Sequence, residues 1–122
     1  MTNQVSILYV DDEEALRQLV GEQLRLENFL IETAEDGDKA IEILKKRTFD
    51  VILLDMRMPR VNGIEVLKFM KKRKISSRVV VLTAVDDLSV AIEAVKNGAN
   101  DYLTKPYDYN TLISAIRRVM AK

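Results

Sequence analysis

VILLD, residues 51–55, decides the fold. Val51–Leu54 are four consecutive apolar residues with no polar face. A strand of that kind is covered on both sides, as the central strand of a parallel sheet is. The run then stops on a carboxylate, Asp55. Working outward, the same punctuation recurs. VSILYV at 5–10 stops on Asp11 and Asp12, and VVVL at 79–82 stops on Thr83. Tyr102–Thr104 is followed by Lys105 and Pro106, and Leu30–Ala34 reads as a shorter strand.

Amphipathic segments separate these runs. Leu16, Leu19, Val20 and Leu24 share one face at helical spacing. Asp36 is placed to cap a helix that turns Ala40, Ile41 and Leu44 inward. Pro59 and Gly63 bracket a loop, after which Ile64, Leu67 and Met70 mark a third helix. Asp86 or Asp87 caps a fourth, with Ala91, Ala94 and Val95 inward and Gly98 just past its end. Asp108 caps the last, striped by Leu112, Ile113, Ile116, Val119 and Met120. Strict strand–helix alternation predicts an α/β fold, a doubly wound parallel sheet of five strands with helices on both faces.

The length of 122 residues fits one domain, 1–122. Nineteen basic residues balance nineteen acidic ones, which gives no electrostatic case for nucleic acid or an anionic membrane. With no cysteine and no histidine, disulfides, thiolate metal sites, His-ligated zinc and histidine triads are excluded. No apolar run approaches the roughly 20 residues that cross a bilayer. A cytoplasmic location is expected.

If the runs are parallel neighbours, Asp11, Asp12, Asp55, Thr83 and Lys105 meet at one sheet edge. Three carboxylates there need a counter-charge, and a hard divalent cation with oxygen ligands supplies it. Asp11 and Asp12 also suit the start of the first helix, where acidic residues favour the dipole. Asp55 can start a turn, or act as a nucleophile toward phosphorus. Thr83 and Lys105 then suit phosphoryl oxygens. Each also has a plain reading, as a strand end and a solvated loop lysine. A cis bond at Lys105–Pro106 is a candidate device for aiming the ammonium at the pocket.

Taken in order, VDD at 10–12, LLDMRMP at 53–59 with Gly63, LTA at 82–84 and GANDYLTKP at 98–106 resemble the receiver domain of bacterial two-component response regulators, of the chemotaxis-receiver type. The resemblance spans Val5 to about Met120. It implies the flavodoxin-like strand order 2-1-3-4-5. It implies that Asp55 accepts a phosphoryl group from a histidine kinase, a phosphotransfer protein or a small acyl phosphate. It implies Mg²⁺ (or Mn²⁺) held by Asp12, Asp55 and the main-chain carbonyl of Arg57, with Asp11 acting through water. Thr83 and Lys105 become the phosphoryl-binding pair, and Thr83 and Tyr102 the switch residues. Residues of the first helix such as Arg17 and Gln18 face the kinase. The face of the fourth helix, fifth strand and fifth helix changes shape to control an effector domain or partner protein, without direct nucleic-acid or membrane contact. The chain is expected to be a free-standing receiver or the N-terminal part of a longer regulator.

Arg57 and Val85 flank the expected path of attacking water. Val85 cannot orient a water, so slow self-dephosphorylation is expected, and Arg57 is expected to pair with an acid such as Glu14 when metal is absent. Two other readings stand beside the receiver. An aspartate-nucleophile phosphohydrolase uses a similar residue set, but its motif places an acid two residues after the nucleophile, where Arg57 stands. A phosphorylation-independent binding module of the same fold is the other. Gly21, Gly37, Gly63 and Gly98 form neither a GxGxxG nor a P-loop, so a nucleotide site is not expected.

Overall fold

The computed structural model describes residues 4–58, 60–84 and 86–121. The expectations placed on Pro59 and Val85 lie outside the described residues. Strands β1 (Ser6–Val10), β2 (Leu30–Ala34), β3 (Val51–Asp55), β4 (Arg78–Ala84) and β5 (Asp101–Lys105) alternate with helices α1 (Glu14–Leu26), α2 (Gly37–Leu44), α3 (Gly63–Lys72), α4 (Leu88–Lys96) and α5 (Tyr109–Met120). The five strands form one sheet in the order β2-β1-β3-β4-β5, with every pairing parallel. The fold is the flavodoxin-like one expected.

The alternation of side chains along each strand divides the core in two. Leu8, Val10, Ile52, Leu54, Val79 and Val81 face one way, onto Ala40 and Leu44 of α2, Val66, Leu67 and Met70 of α3, and Ala94 of α4. Ile7, Tyr9, Val51, Leu53, Val80 and Leu82 face the other way, onto Val20 and Leu24 of α1 and the buried face of α5. Val51–Leu54 are wholly buried, as their unbroken apolar run requires. Each such side chain contributes about 1.5–3 kcal/mol on leaving water.

Local chemistry sets the helix starts. Asp36 accepts from Lys39 N, Asp108 from Thr111 N, and Asn62 forms a capping box with Glu65. Asp87 occupies the N-cap of α4, but its side chain makes no cap hydrogen bond. Gly98 has φ +107°, the left-handed conformation expected just past a helix end.

Three apolar residues expected inward point outward: Leu19 on α1, Val95 on α4 and Met120 on α5 are exposed. On α1 the buried line runs through Val20, Gly21 and Leu24. Leu19 lies to the solvent side of that line. On α4 the buried line is Ala91 and Ala94, one step around the helix from Val95. Met120 is the last residue of α5.

A Cβ on Gly37 would sit 2.2 Å from the carbonyl oxygen of Val61, whereas one on Gly21 would meet nothing nearer than 3.7 Å. Gly37→Ala is therefore expected to destabilise the fold by about 1–3 kcal/mol, by forcing the α2 start from the β3–α3 loop. Gly21→Ala, inside a helix, is expected to stabilise by about 0.5–1 kcal/mol. Urea unfolding of both variants checks the pair, and equal midpoints would contradict the packing account.

Candidate functional site

The C-terminal ends of β1, β3, β4 and β5 share one rim, where the winding of the sheet reverses. Asp11 follows β1 directly and is fully buried, while Asp12 is exposed. Asp55 closes β3 at 4% exposure. Carboxylate oxygens of Asp11, Asp12 and Asp55 lie within 4.8 Å of one another. Lys105, at the end of β5, reaches across the rim. Its Nζ is 3.4 Å from Asp11 Oδ2, 3.6 Å from Asp55 Oδ2 and 4.0 Å from Glu13 Oε1. The Lys105–Pro106 peptide bond is cis.

Thr83 is placed by register. It follows Leu82, the partner of Asp55 across β3 and β4, and itself pairs with Thr104 beside Lys105. It is 3% exposed, and its hydroxyl has no hydrogen-bond partner among the described residues. A buried, unpartnered hydroxyl at a rim with an ammonium suits an oxyanion. Tyr102 lies two residues earlier on the strand than Thr104 and points to solvent.

Asp11 is tied down on both oxygens. Glu13 N donates to Oδ1 at 2.9 Å, and the Tyr9 hydroxyl donates to Oδ2 at 3.1 Å. Its role at α1 is thus a turn bond to Glu13; the N-cap residue is Glu13 itself, without a side-chain cap bond. Tyr9 was not among the residues singled out from sequence. The one available signal is its place two residues before Asp11, on the same strand face.

Burial and charge act together on Asp55. Desolvation raises its pKa most, Lys105 lowers it, Asp11 raises it, the Arg57 N–H bond lowers it and Asp12 raises it, for a result of about 6. The ammonium does not cancel two neighbouring carboxylates plus burial. For Lys105, burial pulls down, yet Asp55 and Asp11 outweigh it and the pKa is raised.

Arg57 pairs with an acid, as expected, but that acid is not Glu14. Its guanidinium grips Asp87, with Nη2 2.6 Å from Oδ1 and Nε 2.5 Å from Oδ2. Asp87 is buried on the β4–α4 loop and within reach of this fork, whereas Glu14 opens α1. The pair explains the uncapped start of α4, because the carboxylate that would cap it is already engaged. The Arg57 main-chain N–H donates to Asp55 Oδ1 at 3.2 Å, so the segment carrying its carbonyl lies against the acidic cluster.

The donor set fits a hard divalent cation. It is all oxygen, carries excess negative charge, and holds one carboxyl well above its ordinary range for want of compensation. The profile of the response regulator receiver domain matches residues 7–117. The chain belongs to that family. It is 33% identical over 99% of its length to the transcriptional regulatory protein ResD of Bacillus subtilis, of which it covers 50%. Its structure superposes on the receiver domain of Francisella response regulator 1452 with a TM-score of 0.89 at 30% identity, covering 97% and 98% of the two chains. On the chemotaxis protein CheY4 of Vibrio cholerae the TM-score is 0.88 at 31% identity, covering 96% and 99%. The chain spans about half the length of the curated relative it matches.

This receiver is accordingly a phosphorylation-controlled signalling switch of a two-component system. Receiver domains bind Mg²⁺ in an acidic pocket, and this chain has such a cluster. They work with histidine kinases and effector domains. Among the described residues no helix is long and apolar enough to cross a membrane.

The sign of the Asp55 shift makes a prediction. A carboxyl raised in the folded state favours folding while protonated. That contribution is present below 3.8 and is lost as pH rises through about 6. In metal-free buffer Asp55→Asn is expected to raise stability at pH 7.5 by about 2–3 kcal/mol. The gain should shrink below pH 6 and vanish near pH 4. Denaturant melts across this range check it; a gain independent of pH would refute the electrostatic cause.

Proposed function

We propose that Asp55 is the phosphoacceptor, that Thr83 and Lys105 hold the phosphoryl oxygens, and that Asp11, Asp12, Asp55 and the Arg57 carbonyl provide the Mg²⁺ or Mn²⁺ site. The approach of Lys105 Nζ to Asp55 Oδ2 at 3.6 Å, across 50 residues of chain (105 − 55), carries the reading. A lysine placed for a structural ion pair needs one acid, and this one faces three.

In the transfer, an Asp55 oxygen bonds to phosphorus while the phosphorus–nitrogen bond of a phosphohistidine breaks. With a small acyl phosphate, a phosphorus–oxygen bond breaks instead. The leaving group departs with the electron pair, and Asp55 becomes a mixed anhydride. When bound, the divalent ion neutralises charge on the phosphoryl oxygens and on the carboxylates. Lys105 gives up contacts with Asp11 and Asp55 to pair with the phosphoryl group, and the free Thr83 hydroxyl donates to it. The chain's catalytic role is confined to its own phosphorylation and dephosphorylation.

The donor docks on α1 and the β5–α5 loop. Leu16, Leu19, Val20, Pro106 and Tyr109 line a groove there of about 540 Å³ beside Lys105. Gln18 is exposed on the same helix, while Arg17 is held by the Asp11 carbonyl at 2.8 Å. Output leaves by the α4–β5–α5 face. Leu88, Ile92, Val95 and Tyr102 expose an apolar stripe on it. The Arg57–Asp87 pair ties the Asp55 loop to the start of α4. A phosphoryl group adds roughly −1.5 to −2 charge two residues from Arg57 and competes with Asp87 for it. Release of Asp87 frees its carboxylate to cap α4, which favours a different seating of the start of that helix. The domain acts alone or as the N-terminal part of a longer cytoplasmic regulator.

Labelling with acetyl phosphate tests the assignment. One phosphoryl group per chain is expected with Mg²⁺, far less without it, and none on Asp55→Asn. Undiminished label on the variant would move the acceptor elsewhere. Turnover of external phosphate esters would favour the phosphohydrolase.

A further inference from the structure

Tyr9 is the only described residue that gives Asp11 a side-chain hydrogen bond from the interior of the sheet, and it bears no charge. It is fully buried on β1, on the face that packs against α1 and α5. Side chains two apart on a strand share a face, so its ring lies along the strand and its hydroxyl ends at Asp11 Oδ2, 3.1 Å away. The Tyr107 hydroxyl is also buried beside Tyr9, without a hydrogen bond of good geometry among the described residues. The bond to Asp11 is the one hydrogen bond of the Tyr9 hydroxyl that meets distance and angle among the described residues, with the Tyr107 hydroxyl as its polar neighbour.

Asp11 Oδ2 has a second partner, Lys105 Nζ at 3.4 Å. The two differ in what they leave behind. Lys105 is shared with Asp55 and Glu13, and phosphoryl binding draws it away. The Oδ2 atom of a fully buried carboxylate would then be orphaned, at the cost of desolvation without compensation. A second cation in its place would cancel the negative charge that attracts a metal. A neutral hydroxyl fixes the carboxylate and leaves its charge intact.

We propose that Tyr9 is a positioning residue of this site: its buried hydroxyl holds the Asp11 carboxylate in place for a divalent cation and lets Lys105 leave for the phosphoryl group. The inference rests on the metal-site reading above. Outer-shell donors of this kind are worth about 10–100-fold in metal affinity.

Titration of the unphosphorylated protein with Mg²⁺ alone, followed by amide NMR shifts, tests it. Tyr9→Phe keeps the ring and removes one oxygen, and its Kd for Mg²⁺ is expected to rise about tenfold. In an Asp11→Ala background the same change should alter Kd by less than about twofold, since the group being positioned is gone. A merely structural tyrosine would move the melting temperature and leave this coupling at zero. An unchanged Kd in Tyr9→Phe, or an equal loss in both backgrounds, overturns the proposal. Wild-type protein that takes up no Mg²⁺ overturns both this proposal and the metal site, and is so distinguished. Should Tyr9→Phe not fold, the wild-type hydroxyl proton serves. It is expected to exchange slowly and to shift on adding Mg²⁺, and a resonance indifferent to Mg²⁺ overturns the assignment.

Discussion

Repulsion among three carboxylates at one rim is the constraint on which the site depends. The sheet imposes it. Parallel pairing of β1 with β3 brings the ends of both strands together, so Asp11, Asp12 and Asp55 cannot separate without breaking the ladder. The two-sided core that encloses β3 holds the rim rigid. A protein selected only for stability would not keep a 4%-exposed carboxyl with its pKa pushed up to about 6. The strain makes sense where cation and phosphoryl group relieve it.

Lys105 and Tyr9 divide the task of managing that charge. Lys105 is shared among Asp11, Asp55 and Glu13 at 3.4–4.0 Å. Tyr9 and the Glu13 N–H hold Asp11 whatever Lys105 does. Arg57 touches both places, with its backbone on Asp55 and its guanidinium on Asp87 at the start of α4. The rim is thereby in contact, through one residue, with the helix whose exposed stripe includes Leu88, Ile92 and Val95.

Much of this was legible in the chain. The apolar runs ending on Asp11, Asp55, Thr83 and Lys105 located the rim, because a parallel sheet aligns all its C-terminal ends. Asp36 and Asp108 announced their caps through a short side chain before an apolar stripe. What stayed hidden depended on rotation and reach. Leu19 and Val95 sit at the border of their helical stripes, and which way the border faces is decided by how each helix is seated, on Val20 and Leu24 in one case and on Ala91 and Ala94 in the other. Arg57 has a long side chain, and its choice of Asp87 over Glu14 is set by loop geometry that spacing does not encode. Tyr9 reads as one more apolar strand residue until its hydroxyl is located.

The most direct measurement is a carbon-13 NMR titration of the Asp55 side-chain carboxyl, with and without Mg²⁺. In metal-free protein the account predicts a midpoint near 6, moved downward when Mg²⁺ is present. A midpoint near 4 that Mg²⁺ leaves unmoved would contradict it.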